Sequence, residues 1–309
     1  MVLNQENVNK FLDKYIDFVN EISYKHKYED NIRHLLYLIV PAFVAKYDVS
    51  NESLILKCFE DVHIFISGTE NKVVTASFNR IINNCDNRYY TDKFIMLNEY
   101  RDASLTSLID SIVHEYNHAI NSINNEIIYD DKFVKVRTGL SYLIYDRKTL
   151  RFIEKSKESY LEEVINTEQT EEIINIINSF NSFKIDNMEF NNMLFALKNE
   201  IRVDKYTSNA YYFQSYICDE LMKNKTFTPT ISNLRIKGFV DSIPNLFDDV
   251  IGKEGSYKYL NSLLEEVYNL EIKYMKSGIF KKIILNKLRS KAFEVIDLIN
   301  DYDNKCIYK

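Results

Sequence analysis

Three residues in one short segment have the types and the spacing to do chemistry. Residues 112–120 read IVHEYNHAI and contain the pattern H-E-x-x-H, formed by His114, Glu115 and His118. On a helix, residues four positions apart lie on one face about one turn apart, so both imidazoles can reach one ion. Glu115 is rotated by about one hundred degrees from His114, which places its carboxylate beside that ion. The pattern predicts a metal centre with an adjacent general base.

Zinc is the metal that this spacing favours. It accepts imidazole nitrogens at about 2.0–2.1 Å and, in catalytic sites, keeps one position for water. A structural zinc site usually contains cysteines, and none lies near this segment. The plain alternative is a chance pair of structural histidines, but a random match is expected in fewer than about one chain in a hundred of this composition. We therefore predict Zn2+ held by His114 and His118, with Glu115 as the catalytic base.

The motif lies on the segment with the clearest helical periodicity in the chain. From Ser104 onward, apolar residues recur at helical spacing along one broad face, among them Leu105, Leu108, Ile112, Tyr116 and Ile120. Asp102 or Ser104 is expected to cap the start of this helix.

The rest of the chain predicts an α+β fold that is mostly helical. Helices are expected over 4–22, about 30–46 and nearly everything beyond 157. Strands are expected at Val62–Ile66, Val73–Ile82, Lys93–Leu97, 133–138 and 141–145, with Gly139 between the last two. The expected organisation is an N-terminal α/β subdomain over 1–128 that carries the H-E-x-x-H helix, and a mainly helical C-terminal subdomain over 129–309 that carries the third ligand.

The segment FIMLNEYRDASLTSLIDSIVHEYNHAIN resembles the strand and active-site helix of the zincin metallopeptidases. The resemblance implies a zincin-like fold in which an edge strand, here residues 93–98, holds an extended substrate. Asn121 and Asn124 stand where the metzincin branch has Gly and a third His, so the metzincin pattern is not met. The gluzincin branch, which takes its third ligand from a Glu on a later helix, is the better match.

A downstream carboxylate must complete a three-ligand site, because no histidine follows His118. The segment YLEEVINTEQTEEII resembles the helix that supplies the gluzincin Glu. Matched by position, Glu163 is the ligand and Thr167 its supporting residue, while Val164 replaces the usual Gly. Glu162 is the runner-up, and Glu158 and Glu168 match less well.

A tyrosine is the expected donor to the oxyanion, since no histidine is left in the second half. The run TSNAYYFQSY places Tyr211 and Tyr212 in a candidate loop, and we favour Tyr211 as this catalytic donor over Tyr212. With 23 tyrosines in the chain, core packing is the alternative for either. The other histidines, His26, His34 and His63, are expected to be packed or surface residues rather than ligands.

Composition excludes several other classes of function. The net charge is -6 and no basic tract occurs, so a nucleic-acid partner is not expected. The longest apolar run, Leu35 to Ala45, has 11 residues and contains Pro41, whereas a membrane span needs about 20. The first residues lack the features of a signal peptide, and the four cysteines are far apart. We therefore expect no membrane association, free thiols and a cytoplasmic location.

These features together predict a zinc metallopeptidase that hydrolyses a peptide or protein substrate, as an endopeptidase rather than an exopeptidase. One alternative is a regulatory or toxin-type protease with a single macromolecular target, which would use the same chemistry. The other alternative belongs to a different class: a catalytically inactive zincin-like binding or regulatory protein.

Overall fold

The structure is a computed structural model of the 309-residue chain. It describes residues 3–47, 49–67, 76–86, 88–98, 104–156, 158–199, 212–221, 223–278 and 280–307. Two compact units emerge from the packing. The first contains Met1–Ile120 and Gln169–Arg202, and the second contains Asn121–Glu168 and Val203–Lys309.

The first unit is built around a helix that is buried along most of its length. Its helices are α1 Val8–His26, α2 Asp30–Tyr47, α3 Glu52–Asp61, α4 Leu105–Ile120 and α6 Met188–Asn199. Every residue from Leu35 to Val44 in α2 is buried. A helix that is apolar on all sides belongs in a protein core, which explains the long apolar run in the sequence. No helix among the described residues has the length and apolar character needed to cross a bilayer.

A three-stranded sheet completes the first unit. Its strands are β1 Val62–Ile66, β2 Ala76–Cys85 and β3 Arg88–Leu97, in the order β1-β3-β2. β1 runs parallel to β3 from the pair Val62↔Lys93, and β2 runs antiparallel to β3 from the pair Ala76↔Leu97. The strands β2 and β3 form a hairpin, at whose tip the exposed Cys85 precedes Asp86 with a φ of 52°.

This order corrects the expectation that residues 93–98 form the edge strand for a substrate. Residues 93–97 of β3 pair with β1 on one side and with β2 on the other. A strand that is paired on both sides has no backbone N–H or C=O groups left to pair with a peptide. Within the part of the chain that the structure describes, β2 pairs only with β3 and is therefore an edge strand.

The second unit contains a four-stranded antiparallel sheet and several helices. The strands are β4 Ile127–Tyr129, β5 Phe133–Thr138, β6 Ser141–Asp146 and β7 Phe152–Lys155, paired in this order. Gly139 makes the tight turn between β5 and β6 with a φ of 56°, a conformation that favours glycine. The sequence predicted β5 and β6, whereas the short outer strands β4 and β7 were not foreseen.

Helices form the remainder of the second unit. They are α7 Tyr212–Leu221, α8 Phe227–Lys237, α9 Ile243–Ile251, α10 Ser256–Lys276 and α11 Lys281–Ile307. Their apolar faces meet in one core, in which Phe227, Phe247 and Tyr302 contact one another with ring centroids 5.1–5.7 Å apart. Helix α5, Ser159–Ser179, belongs to this unit up to Glu168 and to the first unit from Gln169. The chain is thus α+β and mostly helical, as predicted.

Candidate metal centre

Helix α4 is fixed at its start and along one face. The Ser107 amide donates to Ser104 Oγ at 3.1 Å, so Ser104 is the N-cap, while Asp102 lies outside the described residues. On the core side, Tyr116 is fully buried, packs on Phe59 with centroids 4.1 Å apart, and donates to the Val62 carbonyl at 3.3 Å. Burial raises the pKa of Tyr116 well above its ordinary value, so its hydroxyl stays a neutral donor.

The opposite side of α4 carries a polar stripe. His114, Asn117, His118 and Asn121 follow one another at helical spacing, as residues i, i+3, i+4 and i+7. The two imidazole rings have centroids 4.9 Å apart at an interplanar angle of 83°. His118 is buried and His114 is half-buried. The anchoring of Tyr116 in the core turns both histidines to the same side of the helix.

Helix α5 carries a stripe of the same spacing, formed by Glu163, Asn166, Thr167 and Thr170. Its C-terminal half is joined to α4 by the Asn117 amide, which donates to Thr170 Oγ1 at 3.1 Å. Tyr47 of α2 adds to this contact, since its hydroxyl lies 2.9 Å from Asn117 Oδ1 and 3.3 Å from Gln169 Oε1. Buried polar groups of this kind need partners, and these bonds supply them.

His114, His118 and Glu163 form a group that could hold a metal ion. Each offers one ligand atom, and these atoms all lie within 4.8 Å of one another. Glu163 lies two helical turns from Thr170, on the same side of α5. In the part of the chain that is described, no other set of three His, Cys, Asp or Glu side chains meets this criterion. The histidine pair and the carboxylate that the sequence singled out therefore come together.

Glu162, the runner-up for the third ligand, has different partners. Its side chain is 1% exposed and forms an ion pair with the guanidinium of Arg235, which is itself 0% exposed. The Leu140 amide donates to Glu162 Oε2 at 2.7 Å. The candidate metal group contains neither Glu162 nor the weaker alternatives Glu158 and Glu168.

Thr167 does not support the Glu163 carboxylate in the manner expected. Its hydroxyl donates to the backbone carbonyl of Glu163 at 2.8 Å, one turn back along α5. A threonine within a helix often satisfies its hydroxyl in this way. Leu161, Val164 and Ile165 are buried and belong to the core of the second unit.

Glu115 is oriented by the backbone of strand β2. The Phe78 amide donates to Glu115 Oε2 at 2.6 Å, and the side chain of Glu115 is buried. In an antiparallel strand, successive amides point alternately toward and away from the partner strand. The Phe78 amide points away from β3, which leaves it available to the carboxylate. The hydrogen bond fixes the direction of the Glu115 carboxylate relative to β2.

Two buried arginines, Arg137 and Arg235, were not singled out in the sequence analysis. Arg235 is the partner of Glu162 described above. Arg137, which is fully buried, donates to the carbonyls of Asn121 at 2.6 Å and Gly139 at 2.8 Å, and also to that of Asn124. It thereby satisfies carbonyl groups just beyond the end of α4. The available signal was Arg137 itself, a charged residue within the apolar pattern of a predicted strand.

Of the two tyrosines considered as donors to the oxyanion, Tyr211 lies outside the described residues, and Tyr212 is the first residue of α7. The rings of His26 and His63 are tilted by 46° with centroids 4.7 Å apart, and the carbonyl of Glu60 is 3.0 Å from His26 Nε2. Desolvation by burial lowers the pKa of both imidazoles. Neither they nor His34 belongs to the candidate metal group.

In comparisons with known proteins, no family model, no curated protein and no solved structure matches the chain.

Proposed function

We propose that the protein is a zinc-dependent metallopeptidase of the gluzincin type, with a zincin-like arrangement of its active-site helix. The proposal rests on one observation above all. His114, His118 and Glu163 present ligand atoms within 4.8 Å of one another, and Glu115 is the neighbour of His114 on the same helix. A three-ligand group beside a carboxylate that is not a ligand is the arrangement that metal-assisted hydrolysis requires.

The donor set fits zinc. Two imidazoles and one carboxylate are a ligand set of catalytic zinc, which leaves a fourth position open. The three side chains are half-buried or buried, so the surroundings limit access of bulk water. When bound, zinc supplies a Lewis acid that polarises a carbonyl group and makes water a stronger acid.

The role of Glu115 follows from its position. As the carboxylate that follows His114 in the sequence, it would take the proton of the attacking water and pass it to the leaving amine. The Phe78 amide holds Oε2 of this carboxylate at 2.6 Å and leaves Oε1 for the proton transfer. The donor to the oxyanion is proposed to be a tyrosine, with Tyr211 still the first candidate.

Strand β2 is proposed to guide the substrate. It is an edge strand, and its Phe78 amide reaches Glu115, so a peptide extended along β2 would pass beside the catalytic base. Pairing with a strand edge uses backbone groups and needs no free terminus. The arrangement therefore favours an endopeptidase that acts on a peptide or an extended segment of a protein.

The decisive experiment is Glu115→Gln in protein loaded with zinc. We expect zinc binding to be retained and kcat/KM to fall by about 10²–10⁴-fold, the usual contribution of a general base. Cleavage is measured by mass spectrometry on a peptide library of mixed sequence. The matched control is Glu254→Gln at an exposed position, which should cleave as the wild type does.

The outcomes separate the alternatives. Equal cleavage by Glu115→Gln and wild type would contradict the mechanism. A wild type that binds zinc but cuts neither the library nor any protein in a denatured cell extract would instead be an inactive zincin-like binding protein. Cleavage of one protein in that extract, with the library uncut, would identify a protease with a single target.

A further inference from the structure

We propose that Glu162 is a positioning residue of the metal centre: its buried carboxylate, held by Arg235 and the β5–β6 turn, directs the neighbouring Glu163 toward the two histidines. This inference rests on the proposed metal centre, and it adds the contacts that orient the third ligand, Glu163. Glu162 itself does not belong to the ligand group.

The contacts of Glu162 leave its side chain little freedom. One carboxylate oxygen pairs with the Arg235 guanidinium, and the other accepts the Leu140 amide at 2.7 Å. Both charged side chains are almost fully buried. Separating such a pair would leave an uncompensated charge in the interior, so both side chains are confined to this contact.

The β5–β6 turn connects Glu162 to the segment that follows α4. The Gly139 amide donates to Ser122 Oγ at 3.0 Å, and the next amide, that of Leu140, donates to Glu162. Arg137 strengthens this connection, since its guanidinium binds the carbonyls of both Asn121 and Gly139. The β5–β6 turn thus contacts both the residues that follow α4, which carries the histidines, and the first turn of α5, which carries Glu163.

Adjacent residues on a helix are related by a fixed rotation of about one hundred degrees. Once Glu162 is held against the turn, the direction in which Glu163 leaves α5 is also determined. Thr167 adds to this, since its hydroxyl donates to the Glu163 carbonyl at 2.8 Å. The contacts of Glu162 and Thr167 thus hold the segment of α5 from which the third ligand extends.

Gly139 offers a sharp test. Its φ is 56°, and a Cβ added there would overlap with the Glu162 carboxylate. Gly252 has a φ of 76° and nothing within 4 Å of the position of an added Cβ. Gly139→Ala and Gly252→Ala therefore introduce similar backbone strain, but only the first displaces Glu162.

The measurement is zinc affinity, determined by competition with a chromophoric chelator, together with the visible spectrum of the Co2+-substituted protein. We expect Gly139→Ala to weaken zinc binding by roughly 10–100-fold, the range typical of residues that orient a ligand, and to change the Co2+ spectrum. Gly252→Ala should match the wild type in both measurements. Circular dichroism establishes that each variant is folded.

Glu162→Gln provides a second variant if Gly139→Ala does not fold. It keeps the shape of the side chain but removes the charge that Arg235 and the Leu140 amide hold, so zinc affinity should again fall. Unchanged zinc affinity and Co2+ spectrum in a folded variant of either kind would overturn the positioning role. A wild type without zinc binding would overturn both this role and the proposed function. Zinc binding without peptide cleavage would contradict the peptidase alone and leave the role of Glu162 intact.

Discussion

At the scale of single residues, two glutamates that are neighbours in the sequence have different partners. Glu162 and Glu163 are adjacent and chemically identical, yet one is held by Arg235 and the other lies in the candidate metal group. The spacing of His114 and His118 was predictable because it depends only on the local geometry of a helix. The partner of Glu162 was not, because Arg235 lies 73 residues away in the chain and no local pattern encodes that contact.

The ligand role of Glu163 is testable by a single substitution. Glu163→Gln keeps the shape of the side chain but removes the negative charge that zinc prefers, so zinc affinity should fall by at least about a hundredfold. Glu171→Gln on the same helix, outside the ligand group, is the control and should bind zinc as the wild type does. Both affinities are measured by isothermal titration calorimetry. Equal affinities for the two variants would remove Glu163 from the centre.

At the scale of elements, the sequence predicted what depends on local periodicity. The strand Val62–Ile66 and the N-cap Ser104 agree with the expectations, and the first two helices differ from them mainly at their ends. The position of a strand within its sheet could not be predicted in the same way. Residues 93–97 look the same in the sequence whether β3 is an edge or a central strand, because the partners β1 and β2 come from elsewhere in the chain. Strand β4, with three residues, is too short to show a pattern.

The contact between His26 at the end of α1 and His63 in β1 predicts a dependence of stability on pH. Burial lowers the pKa of both imidazoles in the folded state. The unfolded chain therefore binds protons more readily, and the stabilisation is present above about pH 6.5 and is lost as the pH falls. Between about pH 7 and pH 5, the free energy of unfolding of the metal-free wild type should decrease more than that of His63→Phe.

Phenylalanine suits this test because His63 already stacks on Phe65, with centroids 4.1 Å apart. Urea unfolding at each pH, in the presence of a chelator, gives the two free energies without a contribution from bound metal, and the titration of the other histidines is common to both proteins. Parallel pH profiles for the two proteins would show that this histidine pair does not contribute.

At the scale of the whole molecule, the packing does not follow the order of the chain. Residues 169–202 return to the unit formed by the first 120 residues, although they follow the sheet of the second unit in the sequence. Composition and periodicity describe each segment on its own. They therefore predict the α+β class, but not that residues 169–202 pack with the first unit. The proposed ligand residues also lie far apart in the chain, with the histidines on α4 and Glu163 on α5.

Zinc should therefore stabilise the native state of the molecule. A ligand present at about one hundred times its dissociation constant, and bound only by the native state, adds about 2.7 kcal/mol to the free energy of unfolding. We expect Tm to fall by several degrees after removal of the metal with a chelator and to recover when zinc is added back. Scanning calorimetry measures the shift. His114→Ala should show no such response, and a full response in that variant would contradict the proposed ligand set.

The exposed Cys85 at the tip of the β2–β3 hairpin provides a means of detecting ligands optically. It is seven positions from Phe78 in the sequence, which corresponds to about 23 Å along a strand. This distance suits resonance energy transfer. With Cys218 and Cys306 replaced by serine and Cys58 buried, a single dye would mark this thiol. Fluorescent peptides could then be screened for binding along β2 with the Glu115→Gln protein, before any cleaved sequence is known.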